Sequence, residues 1–234
     1  MNRRNNCLAV LLTVGFLLVL TAYISAPRTE QTFAQSGCVT LVIDAGHGGE
    51  DGGAVSSSGV RESALNLAVA LRVRDLAALV GLDTVMVRET DVSVADGGRT
   101  VSERKRSDLA ARVRLVQSTP GAVLLSIHQN HFAEEKYDGA QVFFASGSEE
   151  LARKTQENLR LCLDPSNRRQ AKKSSQVYLM EHITCPALLV ECGFLSNAAE
   201  TEKLKEPDYQ KKLAAAMLCA IAAGNGGTED VQNG

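Results

Sequence analysis

Four side chains of the types that take part in metal-dependent hydrolysis, two imidazoles and two carboxylates, lie at the ends of predicted secondary-structure elements. They are His47, Glu62, His128 and Glu191. Two imidazoles and one carboxylate suffice to hold a catalytic zinc ion, which keeps its fourth position open for water. Hydrolysis at such a centre also needs a second carboxylate that does not bind the metal and acts as the general base. The four side chains are therefore candidates for a complete zinc hydrolase centre.

The segment around His47 is rich in glycine. Residues 44–54 read DAGHGGEDGGA, and five of the eight residues from Gly46 to Gly53 are glycine. Such a backbone can turn tightly and bring an imidazole close to a ligand. A phosphate cradle is a competing interpretation, because the segment follows a predicted strand and precedes a predicted helix. The GxGxxG and GK[ST] patterns are missing, which disfavours phosphate binding.

Short apolar runs alternate with amphipathic stretches through the middle of the chain. The predicted strands are 39–44, 84–88, 122–127, 140–145, 176–180 and 187–191, and the predicted helices are 62–80, 103–117, 149–162 and 208–223. This alternation predicts a single-domain α/β fold, with a mostly parallel central sheet of about six strands and helices on both faces. Ligands of such sheets bind beyond the carboxyl ends of the strands. His47, His128 and Glu191 are therefore expected at one edge of the sheet.

The composition disfavours two classes of binding protein. The chain has 25 basic and 27 acidic side chains and a net charge of -2, without the basic excess that is typical of nucleic-acid-binding proteins. Only 4% of residues are aromatic and none is Trp, which argues against a binding module built on stacking. The six cysteines form no CxxC pair. One of them, Cys7, lies in an apolar N-terminal run, so five remain for the folded part, an odd number that argues against a disulfide framework.

The N-terminal residues indicate export. Arg3 and Arg4 precede an apolar stretch at 7–24, so residues 1–26 are a signal peptide or a membrane anchor, and the sequence does not decide between the two. Residues 27–37 are a polar linker, residues 38–224 the folded domain, and residues 225–234 a glycine-rich flexible tail. We therefore expect an extracytoplasmic protein, exported or anchored in the cell envelope. Its only contact with the membrane would be through the N-terminal segment.

Four motifs follow one another at plausible spacing along the domain. They are DAGHGGEDGGA (44–54), Glu62 at the head of the next helix, SIHQN (126–130) and VECGFLSN (190–197). Together they resemble the zinc-dependent N-acetylmuramoyl-L-alanine amidases of the Amidase_3 family, and the similarity extends from residue 39 to about residue 223. VRETD (87–91) and LAAR (109–112) also resemble the pattern of that family.

The resemblance implies a role for each of the four side chains. His47, Glu62 and His128 would hold one Zn²⁺ per chain, and Glu191 would be the catalytic acid/base. The physical roles agree with this assignment. Zinc polarises the amide carbonyl and lowers the pKa of water, while the free carboxylate takes the proton of the water and passes it to the departing amine.

Other residues of the motifs are expected around this centre. Asn130 and Arg112 are predicted to bind substrate. Asp44 and Asp51 are predicted to orient the metal-bound imidazoles through hydrogen bonds, a support that such sites normally have. Turn formation is an equally good interpretation of Asp51.

Two residues depart from the family pattern. His131 stands where such enzymes usually carry a small residue, and three interpretations remain open: an accessory ligand, a substrate contact or a surface side chain. Cys192 follows Glu191 where an apolar or small side chain is commoner. Strand alternation directs Cys192 to the face opposite Glu191, which predicts packing rather than metal binding.

The resemblance implies hydrolysis of the amide bond between N-acetylmuramic acid and L-alanine in peptidoglycan. The short chain, its N-terminal export segment and the lack of wall-binding repeats further resemble the spore-cortex, germination-specific members, which cut stem peptides from muramic acid before lactam formation. Family members are often inactive until another protein engages them, so an activating partner is implied as well. Two alternatives remain: a zinc peptidase or carboxypeptidase acting on wall peptides, and a catalytically silent wall-binding protein that retains the fold.

Overall fold

The computed structural model describes residues 39–225. The predicted signal peptide or anchor, the linker and the tail from residue 226 onward lie outside the described residues, as do Cys7 and Cys38. Among residues 39–225, none of the helices combines the length and the hydropathy that a membrane crossing requires.

Six strands form one central sheet, as predicted. They are β1 Thr40–Ala45, β2 Thr84–Met86, β3 Ala122–Asn130, β4 Gln141–Phe144, β5 Lys172–Lys173 and β6 Ala187–Phe194. Their order across the sheet is β2-β1-β3-β6-β4-β5. Neighbouring strands are parallel except for β4, which is antiparallel to β6. The carboxyl ends of β1, β3 and β6 therefore meet at one edge.

Helices cover both faces of this sheet. They are α1 Glu62–Leu79, α2 Val101–Ser118, α3 Glu149–Leu163, α4 Tyr178–Glu181, α5 Ala198–Lys205 and α6 Pro207–Asn225. One core includes Leu125 of β3 with residues of α1, α3 and α6, and a second core includes Leu124 of β3 with residues of α2 and α4. Successive residues of β3 thus enter opposite cores, because a strand alternates its side chains between the two faces. This explains the continuously apolar strand sequences and confirms the predicted α/β architecture.

The predicted strand at 176–180 is wrong. The chain instead forms the two-residue edge strand β5 and then the short helix α4. Gln176 has a φ of 64°, which interrupts extended backbone, and its amide donates to Oε1 of Glu181 at 2.9 Å. The adjacent residues Leu179 and Met180 are both buried in the core beside α2. The apolar residues of this segment therefore pack as one turn of helix and do not alternate as in a strand.

The register between β3 and β6 shifts near their carboxyl ends. His128 pairs with Glu191, whereas Asn130 pairs with Phe194, so one residue of β3, Gln129, lies opposite two of β6. This arrangement is a β-bulge. A Cβ added to Gly193 would meet Leu204 in the core on the α1 side, the same side as Cys192. The bulge therefore returns Phe194 to the face that carries Glu191.

Candidate metal centre

The structure brings the three predicted metal ligands together. His47 follows β1, Glu62 opens α1 and His128 lies in β3. Nε2 of His47 and Nδ1 of His128 are 3.2 Å and 3.0 Å from Oε1 of Glu62, and the three donor atoms all lie within 4.8 Å of one another. Ligand atoms in a tetrahedral zinc site are roughly 3.3 Å apart, because each lies about 2.0–2.1 Å from the ion. The donor set therefore fits zinc in both chemistry and spacing.

The carboxylate of Glu62 is buried and fixed by neighbouring donors. Oε1 accepts hydrogen bonds from Nδ2 of Asn66 and from the amide of Gln129, both at 3.2 Å, and Oε2 accepts one from the amide of Ala54 at 2.9 Å. Burial by itself would raise the pKa of Glu62, but hydrogen bonds and favourable charge interactions with His128 and His47 hold it far below its usual value of 4.5. The side chain is therefore ionised at neutral pH, which is the form that binds a metal.

His47 lies in a strained loop. Its φ of 61° is in the left-handed region, which is uncommon for any residue other than glycine. Its Nδ1 is 3.0 Å from Oδ2 of Asp51, so Nε2 remains directed at Glu62. Burial lowers the pKa of His47, while Glu62 and Asp51 outweigh that effect and raise it. The structure thus places Asp51 where it can orient the imidazole. Oδ1 of Asp51 also accepts from the amide of Gly53 at 3.2 Å, so the residue shapes the turn as well.

Two glycines of the loop pack directly against side chains of the predicted metal ligands. A Cβ on Gly46 would lie 2.2 Å from Cε1 of His128. A Cβ on Gly53 would lie 2.5 Å from Oε2 of Glu62, and the φ of Gly53 is +67°. Side chains at these positions would overlap the imidazole and the carboxylate. The close approach of the loop to both ligands therefore requires glycine.

Arg112 of α2 supports the loop from one side. Its side chain is 3% exposed and donates to Asp44, to Oδ2 of Asp108 at 2.6 Å, and to the carbonyl oxygens of Ala45 and His47 at 3.0 Å and 2.7 Å. These bonds turn the guanidinium inward. This position favours a role in holding the loop. It favours the predicted contact with substrate less.

Asp44 contacts no imidazole among the described residues. Its oxygens accept from Arg112 and from Oγ of Ser126, the latter at 2.6 Å. Burial raises the pKa of Asp44, but the charge of Arg112 and these hydrogen bonds outweigh burial and keep it below its usual value. The structure connects Asp44 to the loop at His47 through Arg112, and its predicted role in orienting an imidazole stays a prediction.

Arg88, for which no role was predicted from the sequence, supports the other side of the loop. The buried guanidinium donates to the carbonyl oxygens of Ala45, Gly46 and Ser63 at 2.8 Å, 3.0 Å and 2.9 Å. Its sequence signal is its place in VRETD (87–91), the segment after β2 that resembles the family pattern. Arg88 and Arg112 together bond every backbone carbonyl from Ala45 to His47.

Glu191 lies beside the three donors and outside their group. It pairs with His128 across β3 and β6, so the two side chains project from the same face of the sheet. Its Oε2 is buried and has no hydrogen-bond partner in the part of the chain that the structure describes. Burial raises the pKa of Glu191 to about 7 against the opposing effect of His128. A carboxyl group of this kind exchanges a proton readily at neutral pH.

The remaining predicted residues lie around this group. Asn130 is half-buried on the face that carries Glu191, and its Oδ1 accepts from the amide of His131 at 2.8 Å. His131 is exposed and is not part of the three-donor cluster. Cys192 is fully buried in the core beside α1 and α6, which confirms that it packs on the opposite face.

Comparison with known proteins places these residues in a family context. The Amidase_3 family model, described as N-acetylmuramoyl-L-alanine amidase, matches residues 41–223. The germination-specific N-acetylmuramoyl-L-alanine amidase of Bacillus subtilis is 39% identical over 185 residues, which cover 77% of each chain. The amidase LytC of the same organism is 30% identical over 183 residues, which cover 76% of this chain and 34% of LytC.

Solved structures agree with the sequence comparison. The CwlD amidase from Clostridioides difficile, solved in complex with the GerS lipoprotein, superposes with a TM-score of 0.76 at 34% identity and covers 79% of this chain and 97% of that one. An N-acetylmuramoyl-L-alanine amidase from Clostridium difficile 630 superposes with a TM-score of 0.71 at 25% identity, over 83% of this chain and all of that one.

Proposed function

Because the chain belongs to the Amidase_3 family of N-acetylmuramoyl-L-alanine amidases, we propose that it uses a zinc ion held by His47, Glu62 and His128 to cleave one amide bond of its substrate. The bond joins N-acetylmuramic acid to L-alanine in peptidoglycan. Zinc bound there would polarise the scissile carbonyl and lower the pKa of the attacking water. The observation that carries the proposal is the convergence of these donors beside the unpartnered carboxylate of Glu191.

Glu191 would be the proton carrier of the reaction. Its Oε2 has no hydrogen-bond partner among residues 39–225, so it is free to accept the proton of the attacking water. The same oxygen then returns the proton to the nitrogen of L-alanine as the carbon–nitrogen bond breaks. An amine leaves poorly unless it is protonated, so both transfers are needed. The raised pKa of Glu191, about 7, suits a group that must both accept and donate a proton at neutral pH.

Product analysis of the full-length chain tests the proposal. The protein is incubated with purified peptidoglycan and zinc, and the soluble products are identified by mass spectrometry. We expect intact stem peptides with a free L-alanine amino terminus, and glycan strands without peptide. Release of a carboxyl-terminal amino acid would instead identify a zinc peptidase. A lack of any hydrolysis in the zinc-loaded protein would favour a silent binding protein.

The division of roles is tested by Glu191→Gln. This variant should keep one zinc per chain by elemental analysis, since Glu191 lies outside the donor cluster. Its turnover should fall by about 10²–10⁴-fold, the contribution of a positioned general base. Glu135→Gln, an exposed change in the β3–β4 loop, is the matched control and should keep full turnover. Full activity in Glu191→Gln contradicts the proposed role.

We also propose that the enzyme acts in spore-cortex maturation, outside the cytoplasmic membrane. Two facts support this role: the 39% identity to a germination-specific amidase, and a substrate that lies in the cell wall. The test is complementation of a Bacillus subtilis strain that lacks its germination-specific amidase. We expect the chain to restore muramic lactam in the cortex. If the protein accumulates and is active in vitro yet the cortex still lacks lactam, the spore role is wrong.

A protein partner is part of the same proposal. The 34% identical CwlD amidase was solved together with a lipoprotein, and the family resemblance also implies activation by another protein. We expect the isolated chain to turn over slowly even when it is loaded with zinc, and the bound partner to raise its turnover. Stoichiometric zinc in the purified chain, together with full activity, would show that it needs no partner.

A further inference from the structure

Arg169 lies in the segment between α3 and β5 and is held by three contacts. Its guanidinium carbon is 4.4 Å from the centroid of the Phe194 ring. Nη1 donates to Oε1 of Gln141 at 3.2 Å, and Nε donates to the carbonyl oxygen of Asp138 at 2.7 Å. The planar group is therefore fixed in place rather than extended freely into solvent.

These contacts place the guanidinium on the face of the sheet that carries the catalytic residues. Gln141 of β4 pairs in register with Glu191 of β6, so their side chains project from the same face. The strands are about 4.8 Å apart. Phe194 shares this face because of the β-bulge in β6. Arg169 thus lies about one strand from Glu191, on the side away from His128.

The charge of Arg169 is not neutralised within the described residues. All its hydrogen-bond acceptors there are neutral oxygens, whereas Arg112 and Arg104 pair with carboxylates. Nη2 has no acceptor among residues 39–225. It is not buried, so it reaches solvent. Both polar atoms of the Gln141 side chain are hydrogen-bonded within the protein, because its Nε2 donates to the carbonyl oxygen of Gln170 at 3.0 Å. The result is a fixed cation whose Nη2 is free to bind a ligand, on the face of the sheet that carries Glu191.

We propose that Arg169 binds a carboxylate of the stem peptide beyond L-alanine and thereby sets a preference among substrates. The inference rests on the proposed function, since it takes the scissile bond to lie between the metal donors and Glu191. The stem continues from L-alanine, and its second residue carries a free α-carboxylate unless that group is amidated. A guanidinium matches the planar shape of a carboxylate, and a fixed one loses little side-chain freedom on binding.

The test compares two soluble peptidoglycan fragments that differ at one group. The second stem residue carries an α-carboxylate in one and an α-carboxamide in the other. For the zinc-loaded full-length chain we expect kcat/KM to be about tenfold higher for the carboxylate, the effect of one charge-assisted hydrogen bond. Arg169→Gln should cleave both fragments at the same rate. Arg168→Gln, an exposed change one residue away, should keep the full preference.

Arg169 also ties the β3–β4 loop to the sheet through Asp138, and the comparison separates that structural role from recognition. A structural role alone lowers both rates equally and leaves the preference unchanged, which overturns the inference. Equal rates for both fragments in the unmodified protein overturn it as well. If that protein cleaves neither fragment, the proposed function fails first. If Arg169→Gln does not fold, Arg169→Lys is the second test. Lysine lacks the planar pair of donors of the guanidinium, so this variant should reduce the preference for the carboxylate. An unchanged preference in that variant contradicts the proposal.

Discussion

Arg112 donates a hydrogen bond of 2.7 Å from Nη2 to the backbone carbonyl oxygen of His47. The bond joins α2 to a loop residue whose φ of 61° costs about 1–3 kcal/mol for a residue other than glycine. Arg88 bonds the carbonyl oxygens of Ala45 and Gly46 from the other side. Two buried arginines thus hold the backbone of the loop that carries His47, one of the three candidate metal donors.

Replacing Arg112 should lower both stability and zinc affinity. Arg112→Met keeps most of the side-chain volume but leaves the buried Asp44 carboxylate without its cation, which should cost about 3–5 kcal/mol of unfolding free energy. Urea unfolding of the zinc-free protein at pH 7 measures this loss, and chelator competition measures zinc affinity. Arg106→Met, an exposed change on the same helix, should alter stability by less than about 0.5 kcal/mol. Unchanged zinc affinity in Arg112→Met would contradict the role in the loop.

The architecture and the convergence of His47, Glu62 and His128 could be predicted from the sequence because each depends on local signals. Apolar runs and helical spacing identified five of the six strands and the four long helices. His47 and His128 are marked by the strands that precede and contain them. The contacts of the supporting arginines could not be predicted in this way. Most acceptors of Arg88, Arg112 and Arg169 lie far along the chain, and no spacing in the sequence distinguishes a buried arginine from an exposed one.

The wrong prediction of a strand at 176–180 has a similar cause. An apolar run of that length suits either a strand or a turn of helix, and tertiary contacts decide between them. Here the positive φ of Gln176 and the burial of Leu179 and Met180 beside α2 select the helix. The β-bulge in β6 also escaped prediction, because it depends on the register of pairing with β3.

Asp51→Asn should weaken zinc binding by about 10–100-fold, the usual effect of losing a carboxylate that orients a metal-bound imidazole. The Oδ2 of Asp51 is 3.0 Å from Nδ1 of His47, and an amide in its place is a poorer acceptor for the ring proton. Competition with a chromogenic chelator gives the affinity. Glu50→Gln is the control, because Glu50 is the adjacent residue and pairs with Arg104 instead. Equal affinities for the two variants would show that Asp51 is only a turn former.

Gly46→Ala should disrupt the metal centre by displacing His128. The added methyl group would lie 2.2 Å from Cε1 and 2.3 Å from Nε2 of the ring, so the imidazole or the loop must move. Overpacking of this kind costs about 1–3 kcal/mol. We expect the variant to fold, to unfold at lower urea concentration and to lose stoichiometric zinc. Gly97→Ala is the matched control, since a Cβ there meets nothing within 4 Å. Normal zinc content in Gly46→Ala contradicts the close approach of loop and imidazole.

Glu191→Gln, which should lower turnover, should stabilise the zinc-free protein at alkaline pH. Burial raises the pKa of Glu191 from 4.5 to about 7 in the folded chain. The folded protein therefore binds this proton more tightly than the unfolded chain. Its stabilising effect is fully present below pH 4.5 and is lost as the pH rises through about 7.

The stability difference between Glu191→Gln and the unmodified protein should therefore change with pH. It should grow in favour of the variant by up to about 3 kcal/mol between pH 5 and pH 8, the equivalent of the pKa shift. The measurement is urea unfolding in the presence of a chelator at several pH values. Taking the difference between the two proteins cancels the titration of groups that both contain. Glu135→Gln, which removes an exposed carboxylate, should show no such trend. A difference that stays constant with pH would mean that the carboxylate of Glu191 is well solvated or paired, and would remove the basis for its action as a proton carrier near neutral pH.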